Sequence, residues 1–138
     1  MKNEFVPYEQ SLELKELGFD EPCIGNYYHT KELKIYGGDL LKIKNSDMGT
    51  VTAPLFRQVF KWFREKFELH SFIDCKWKNL GWEYELVDLN KMEKISCIGN
   101  YGYKTPEEAE LECLIKLIEI AKKGPDWDRL KDFPNDEL

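Results

Sequence analysis

The strongest hydrophobic pattern in the chain lies in PLFRQVFKWFREKFEL (54–69), where Phe56, Val59, Phe60, Phe63 and Phe67 recur at helical spacing. That spacing gathers one apolar stripe on an α-helix. The period then changes. HSFIDCKW (70–77) puts Ile73, Cys75 and Trp77 on one side, and WEYELVDL (82–89) alternates Trp82, Tyr84 and Leu86 with Glu83 and Glu85. Both read as strands, joined through Lys78-Asn79-Leu80-Gly81 as a hairpin loop. MEKISCIGNYGY (92–103) predicts a third strand with Ile95 and Cys97 on one face. Thr105-Pro106-Glu107-Glu108 carries a capping hydroxyl, a proline at the first helical position and a capping-box glutamate. The helix they open should run to about Lys123, before Gly124-Pro125, with Leu111, Leu114, Ile115 and Ile118 on its core face.

The N-terminal half is less periodic. Pro7 and YEQSLELKELG predict a short helix with Leu12, Leu14 and Leu17 as its apolar positions and Gly18 as its stop. CIGNYYH (23–29) and LKIYGG (33–38) read as a hairpin, with LLKI (40–43) as a further strand. KNSDMGTVTA (44–53) is the one polar loop of any length, the place for a flexible or ligand-facing segment. These elements make an α+β protein: an antiparallel sheet backed by helices, with an α-β-β-β-α unit at about 54–123 preceded by a helix and a β-hairpin. Residues 1–124 read as a single domain. The remainder, 125–138, reads as a tail or short docking helix in which Trp127, Leu130 and Phe133 fall three residues apart.

The pentapeptide Cys-Ile-Gly-Asn-Tyr occurs twice, at 23–27 and 97–101. Its surroundings do not repeat, so a tandem duplication is not indicated. Cys, Ile and Tyr suit alternating strand faces and Gly-Asn a bulge or strand exit, so both copies are expected to be sheet rather than ligand loops.

Composition narrows the function classes. A net charge of −6 disfavours a nucleic-acid binder that works by neutralising phosphate. No run of apolar residues is long enough to span a membrane, and MKNEFVPYEQ lacks the apolar core of a signal peptide. The terminal NDEL therefore reads as no retrieval signal, and a cytoplasmic location is the expectation. Cys23, Cys75, Cys97 and Cys113 form no CxxC pair and have no histidine at zinc spacing, which points to reduced thiols and no metal. No phosphate loop, dinucleotide motif, calcium loop or catalytic constellation is present, so no catalytic residue and no cofactor is assigned. A hidden site on Cys97 or His70 is the enzymatic alternative.

One helical face has its own chemistry. Arg57, Lys61 and Arg64 share it beside Trp62, and guanidinium groups next to an indole could hold a phosphate and stack a base. The competing reading is a solvated face neutralised by Lys61–Glu65 and Arg64–Glu68 pairs.

Two resemblances are carried by particular stretches. The helix–three strands–helix order of 54–123, with KTPEEAELECLIKLIEI as the last helix, resembles the double-stranded-RNA-binding domain in topology. That family holds phosphate with lysines where this chain has Glu107, Glu108 and Glu110, so the resemblance implies the layout and not RNA binding. NEFVPYEQSLELKELGFDEPC (3–23), APLFRQVFKWFREKFEL (53–69) and YKTPEEAELECLIKLIEIAK (103–122) resemble short uncharacterised proteins encoded by phages and prophages of gut Bacteroidetes. This implies an accessory gene of a mobile element. The expectation is a non-enzymatic protein in the host cytoplasm that binds and blocks or sequesters a host component, either a defence protein or a nucleotide signal. Docking through Trp127, Leu130 and Phe133 is the alternative for a subunit of an assembly, and a homo-oligomer is compatible with the sequence.

Overall fold

The computed structural model describes residues 2–29, 31–36, 43–47, 49–77 and 81–124. The protein is α+β, with helices packed against two antiparallel three-stranded sheets. It divides into two compact units, Met1–Val59 and Phe60–Leu138.

In the first unit a short 3-10 turn (Lys2–Glu4) leads to α1 (Tyr8–Glu16). Only Leu14 of the three predicted leucines is buried; Leu12 is exposed and Leu17 caps the helix end. The inward face is completed instead by Ser11, whose hydroxyl donates to the Val6 carbonyl at 3.1 Å. Strands β1 (Gly25–Tyr27) and β2 (Leu33–Ile35) form the predicted hairpin. Residues 40–42 of the predicted LLKI strand lie outside the described residues, and Ile43 forms an isolated bridge with Cys23. The third strand comes from the end of the expected polar loop. Val51–Ala53 is β3, antiparallel to β1, and the sheet order is β2-β1-β3. The reason is visible in Thr52, which is wholly buried and whose N–H donates to Asn45 Oδ1 at 2.8 Å. Asn45 in turn donates to the Phe19 carbonyl. The polar side chains before β3 therefore satisfy backbone groups of the fold. Phe5, Tyr27 and Ala53 pack at the centre, with Tyr8, Ile24, Leu33, Val51 and Leu55 around them.

The division between units falls within α2 (Phe56–Phe67), which ends at Glu68 with φ +57° and turns directly into β4 (Leu69–Trp77). Strands β5 (Gly81–Asp88) and β6 (Glu93–Ile95) complete a sheet of order β4-β5-β6, and α3 (Pro106–Lys122) packs on β4 and β5. The Thr105 cap is as expected, with its hydroxyl accepting from the Glu108 N–H at 3.1 Å. Glu108 returns its carboxylate to the Lys104 N–H, one residue before the cap. The buried face of α3 is Ala109, Cys113, Leu114, Leu117, Ile118, Ile120 and Ala121. Leu111 is only half-buried and Ile115 is exposed, so the packed stripe lies further round the helix than the sequence pattern placed it. The predicted third strand is also shorter: only Glu93–Ile95 pairs regularly, and Cys97 lies beyond it. Trp127, Leu130 and Phe133 lie outside the described residues, as does the rest of 125–138.

Candidate functional site

The two identical pentapeptides have opposite environments. In the first, Cys23 is buried and Asn26 and Tyr27 are β-strand residues inside the core. The Tyr27 hydroxyl donates to the Val6 carbonyl at 2.7 Å. Gly25 leaves no room for a side chain, since a Cβ there would lie 2.8 Å from a Phe5 ring carbon and 2.9 Å from the Ala53 carbonyl oxygen. The Cys23 thiol lies against Gln58 and the Glu21 carbonyl, and burial pushes its pKa up to about 11. Such a thiol stays protonated and unreactive at neutral pH. The first copy is sheet, as expected.

The second copy is not a strand. After β6 the chain leaves the edge of β5 at Ile95 and returns at Asn100, whose carbonyl accepts from the Tyr84 N–H at 2.9 Å. The Asn100 side-chain amide also donates to the Tyr84 carbonyl at 2.7 Å. Trp82 and Tyr103 then exchange a pair of backbone bonds. Residues 96–99 thus bulge away from the sheet, with Gly99 at φ +70° and open space where its Cβ would be. The expectation that both copies are sheet fails here because the paired run ends at Ile95, before the pentapeptide begins.

Beside this bulge is a cleft of about 220 Å3 lined by Glu85, Lys94, Ile95, Ser96, Cys97 and Asn100. Lys94 Nζ lies 3.0 Å from Glu85 Oε1, so the cleft carries an ion pair. Around it the chain exposes large side chains: Ile98 is 54% exposed, Tyr101 66% and Met92 75%. Met92 is the last residue of the β5–β6 turn, in which the buried Asp88 carboxylate accepts from the N–H groups of Asn90 and Lys91. The sequence signal for this site was the Gly-Asn step of the second pentapeptide. The partners of Asn100 lie on β5, so nothing local distinguished the two copies.

The other predicted groups are spread more widely. Arg57 lies in the first unit; Lys61, Trp62 and Arg64 lie in the second. All three cations are exposed, but Trp62 is 8% exposed, with its ring edge-on to Phe63 and Phe67 at 5.1 and 5.3 Å. Little of that ring is open to a base. No ion pair joins Lys61 to Glu65 or Arg64 to Glu68 among the described residues; Glu68 has already left the helical conformation. His70 stands on β4 with its ring edge-on to Phe72 at 4.5 Å. Burial and the nearby Arg64 charge lower its pKa, and Nδ1 is buried without a hydrogen-bond partner. The Cys113 thiol, inside α3, is pushed well up by burial, with the Ser71 hydroxyl partly opposing the shift.

Cys75 is exposed and Cys97 half-buried, so these are the two accessible thiols. Among the described residues no group of three or more His, Cys, Asp or Glu side chains could hold a metal ion, and no helix is long and apolar enough to cross a membrane. No known protein family, curated protein or solved structure matches the chain.

Proposed function

We propose that the protein is a non-enzymatic accessory protein of a phage or prophage that acts in the host cytoplasm by binding and blocking a host protein. The contact surface is the edge bulge at 96–103 together with Met92. The observation that carries this reading is the pairing of a small cleft with large exposed side chains on one loop. At about 220 Å3 the cleft lies below the roughly 300–1,000 Å3 of pockets that enclose drug-sized ligands. A nucleotide would overfill it. One inserted side chain of a partner would not, and Tyr and Met are residues that protein interfaces favour at their centres. Of the two host components expected from the sequence, the geometry therefore favours the protein over the nucleotide signal.

The thiol environments support binding over nucleophilic catalysis at two of the four cysteines, Cys23 and Cys113, where burial keeps the thiol protonated. The enzymatic reading retains one observation of its own: Cys97 lines the cleft beside Ser96 and Asn100. Native mass spectrometry of protein purified gently from cells carrying the element separates these cases. The binding account predicts a complex heavier by a whole polypeptide, retained by Cys97→Ser and lost in Tyr101→Ala. An added mass of a few hundred daltons, released on denaturation and unaffected by Tyr101→Ala, would overturn it.

A further inference from the structure

The second unit exposes a backbone edge that its own described strands leave unpaired. The sheet order is β4-β5-β6, so among the described residues β4 has a strand on one side only. The Leu89 N–H donates to the Glu68 carbonyl at 2.9 Å, and the register runs on through Leu69↔Asp88 to Asp74↔Glu83. In an antiparallel ladder the bonded positions alternate. Residues 68, 70, 72 and 74 therefore bond towards β5, and the N–H and C=O groups of Ser71 and Ile73, both half-buried, point outward; Leu69 is only 1% exposed and is covered. The Cys75 N–H is occupied by Asp74 Oδ1 at 2.8 Å, and the register breaks between Asp74 and Trp77. The open edge is thus the short stretch 71–73. Edges of this kind are templates for another strand.

We propose that this edge pairs with the same edge of a second copy of the chain, antiparallel and about a two-fold axis at Phe72, so that two three-stranded sheets join into one of six. The choice of partner rests on self-complementarity. With the axis at Phe72, Ser71 and Ile73 of each copy exchange backbone bonds with Ile73 and Ser71 of the other, making four. Phe72, which is 47% exposed, meets its own counterpart in a narrow, non-hydrogen-bonded pair. On the same face His70 stands opposite Asp74 of the second copy, twice.

Charge follows the same pattern. Asp74 and Glu83 are directly opposed on β4 and β5, while Arg64 lies close enough to His70 to disfavour its protonation. The two-fold brings the acidic end of one copy to the Arg64–His70 end of the other. Neighbouring registers do worse. An axis at Ser71 sets Asp74 against Glu68, like charges that repel, and an axis at Ile73 sets Phe72 against Asp74. The opposite face contributes only Leu69, Ser71, Ile73 and Cys75 and no charge. A strand pair of this length is small for a permanent interface, so the dimer is concentration-dependent.

Sedimentation of the full chain from low-micromolar to near-millimolar concentration should move the mass from 16.4 kDa towards twice that value. Phe72→Lys, which places two ammonium groups on the axis, should hold the protein monomeric with an unchanged far-ultraviolet spectrum. Ile98→Asp should leave the dimer intact. Register is tested separately in a Cys75→Ser, Cys97→Ser background. There, Phe72→Cys should cross-link on mild oxidation, since Cα atoms about 4.5 Å apart suit a disulfide. His70→Cys should not, its two copies being roughly 13 Å apart. A wild-type chain that stays monomeric throughout overturns the proposal. So does association that survives Phe72→Lys, or cross-linking no faster at 72 than at 70.

Discussion

Replacing glycine by alanine in each pentapeptide gives two mutants with the same local sequence change and different physics. At Gly25 the new methyl would sit 2.8 Å from a Phe5 ring carbon, 2.9 Å from the Ala53 carbonyl oxygen and 3.0 Å from the Ala53 Cβ. Comfortable carbon contacts are about 3.5–4.0 Å, so the intrusion is roughly 0.7 Å on two sides. Phe5 is a core ring and the Ala53 carbonyl belongs to β3, so neither side yields easily. Overpacking of a fixed core costs about 1–3 kcal/mol, and two rigid neighbours place Gly25→Ala at about 3 kcal/mol. At Gly99 nothing lies within 4 Å of the new Cβ, and the only cost is the left-handed backbone at φ +70°. That conformation costs an alanine about 1–2 kcal/mol, offset by about 0.4–1 kcal/mol from a less flexible unfolded chain. The net is about 1 kcal/mol. Urea unfolding followed by tryptophan fluorescence and far-ultraviolet circular dichroism measures both. A Gly99→Ala variant at least as destabilised as Gly25→Ala would refute the assignment of one copy to the core and the other to a surface bulge.

Three further outcomes follow from the same structure. Thr105→Ala should lower stability by about 1 kcal/mol through loss of the helix cap, with Thr105→Ser close to wild type in thermal melts; equal losses in the two variants would remove the hydroxyl from the account. In the native protein a thiol reagent should modify Cys75 first and Cys97 second, leaving Cys23 and Cys113 until denaturant is added. Peptide mapping of the labelled chain reads the order, and uniform labelling would contradict the burial described. Alkali should destabilise the fold in a defined interval. Cys23 ordinarily ionises near 9.0 but holds its proton to about 11 when folded, so its contribution is complete below pH 9 and is lost as pH rises towards 11. The raised pKa values of Cys113, Tyr27 and Tyr84 act in the same direction. A urea midpoint that stays level across that interval would contradict this.

The long periodic elements were legible in the sequence because their signals are local. The Phe56–Phe67 stripe, the alternation through β4 and β5 and the Thr105-Pro106 start each sit within one element. What the sequence left open depends on distant partners. Val51–Ala53 reads as the end of a polar loop until Asn45 and β1 take up its backbone groups. Ser96–Gly99 reads as strand until Asn100 is seen bonded to Tyr84, sixteen residues earlier. Trp62 reads as a stacking surface beside arginines, yet its ring faces Phe63 and Phe67. One pentapeptide thus supplies both a core strand and a surface loop, because pairing partners far along the chain, and not the five residues, decide which.

The most direct test of the central claim places a photoreactive phenylalanine analogue at Tyr101 and, as a control, at Ile35, which is exposed on β2. Illumination in cells expressing the protein should give one discrete polypeptide adduct from position 101, absent from position 35 and lost when Ile98→Asp is added. The same adducts from both positions, or an adduct at 101 indifferent to Ile98→Asp, would contradict a partner bound at the second pentapeptide.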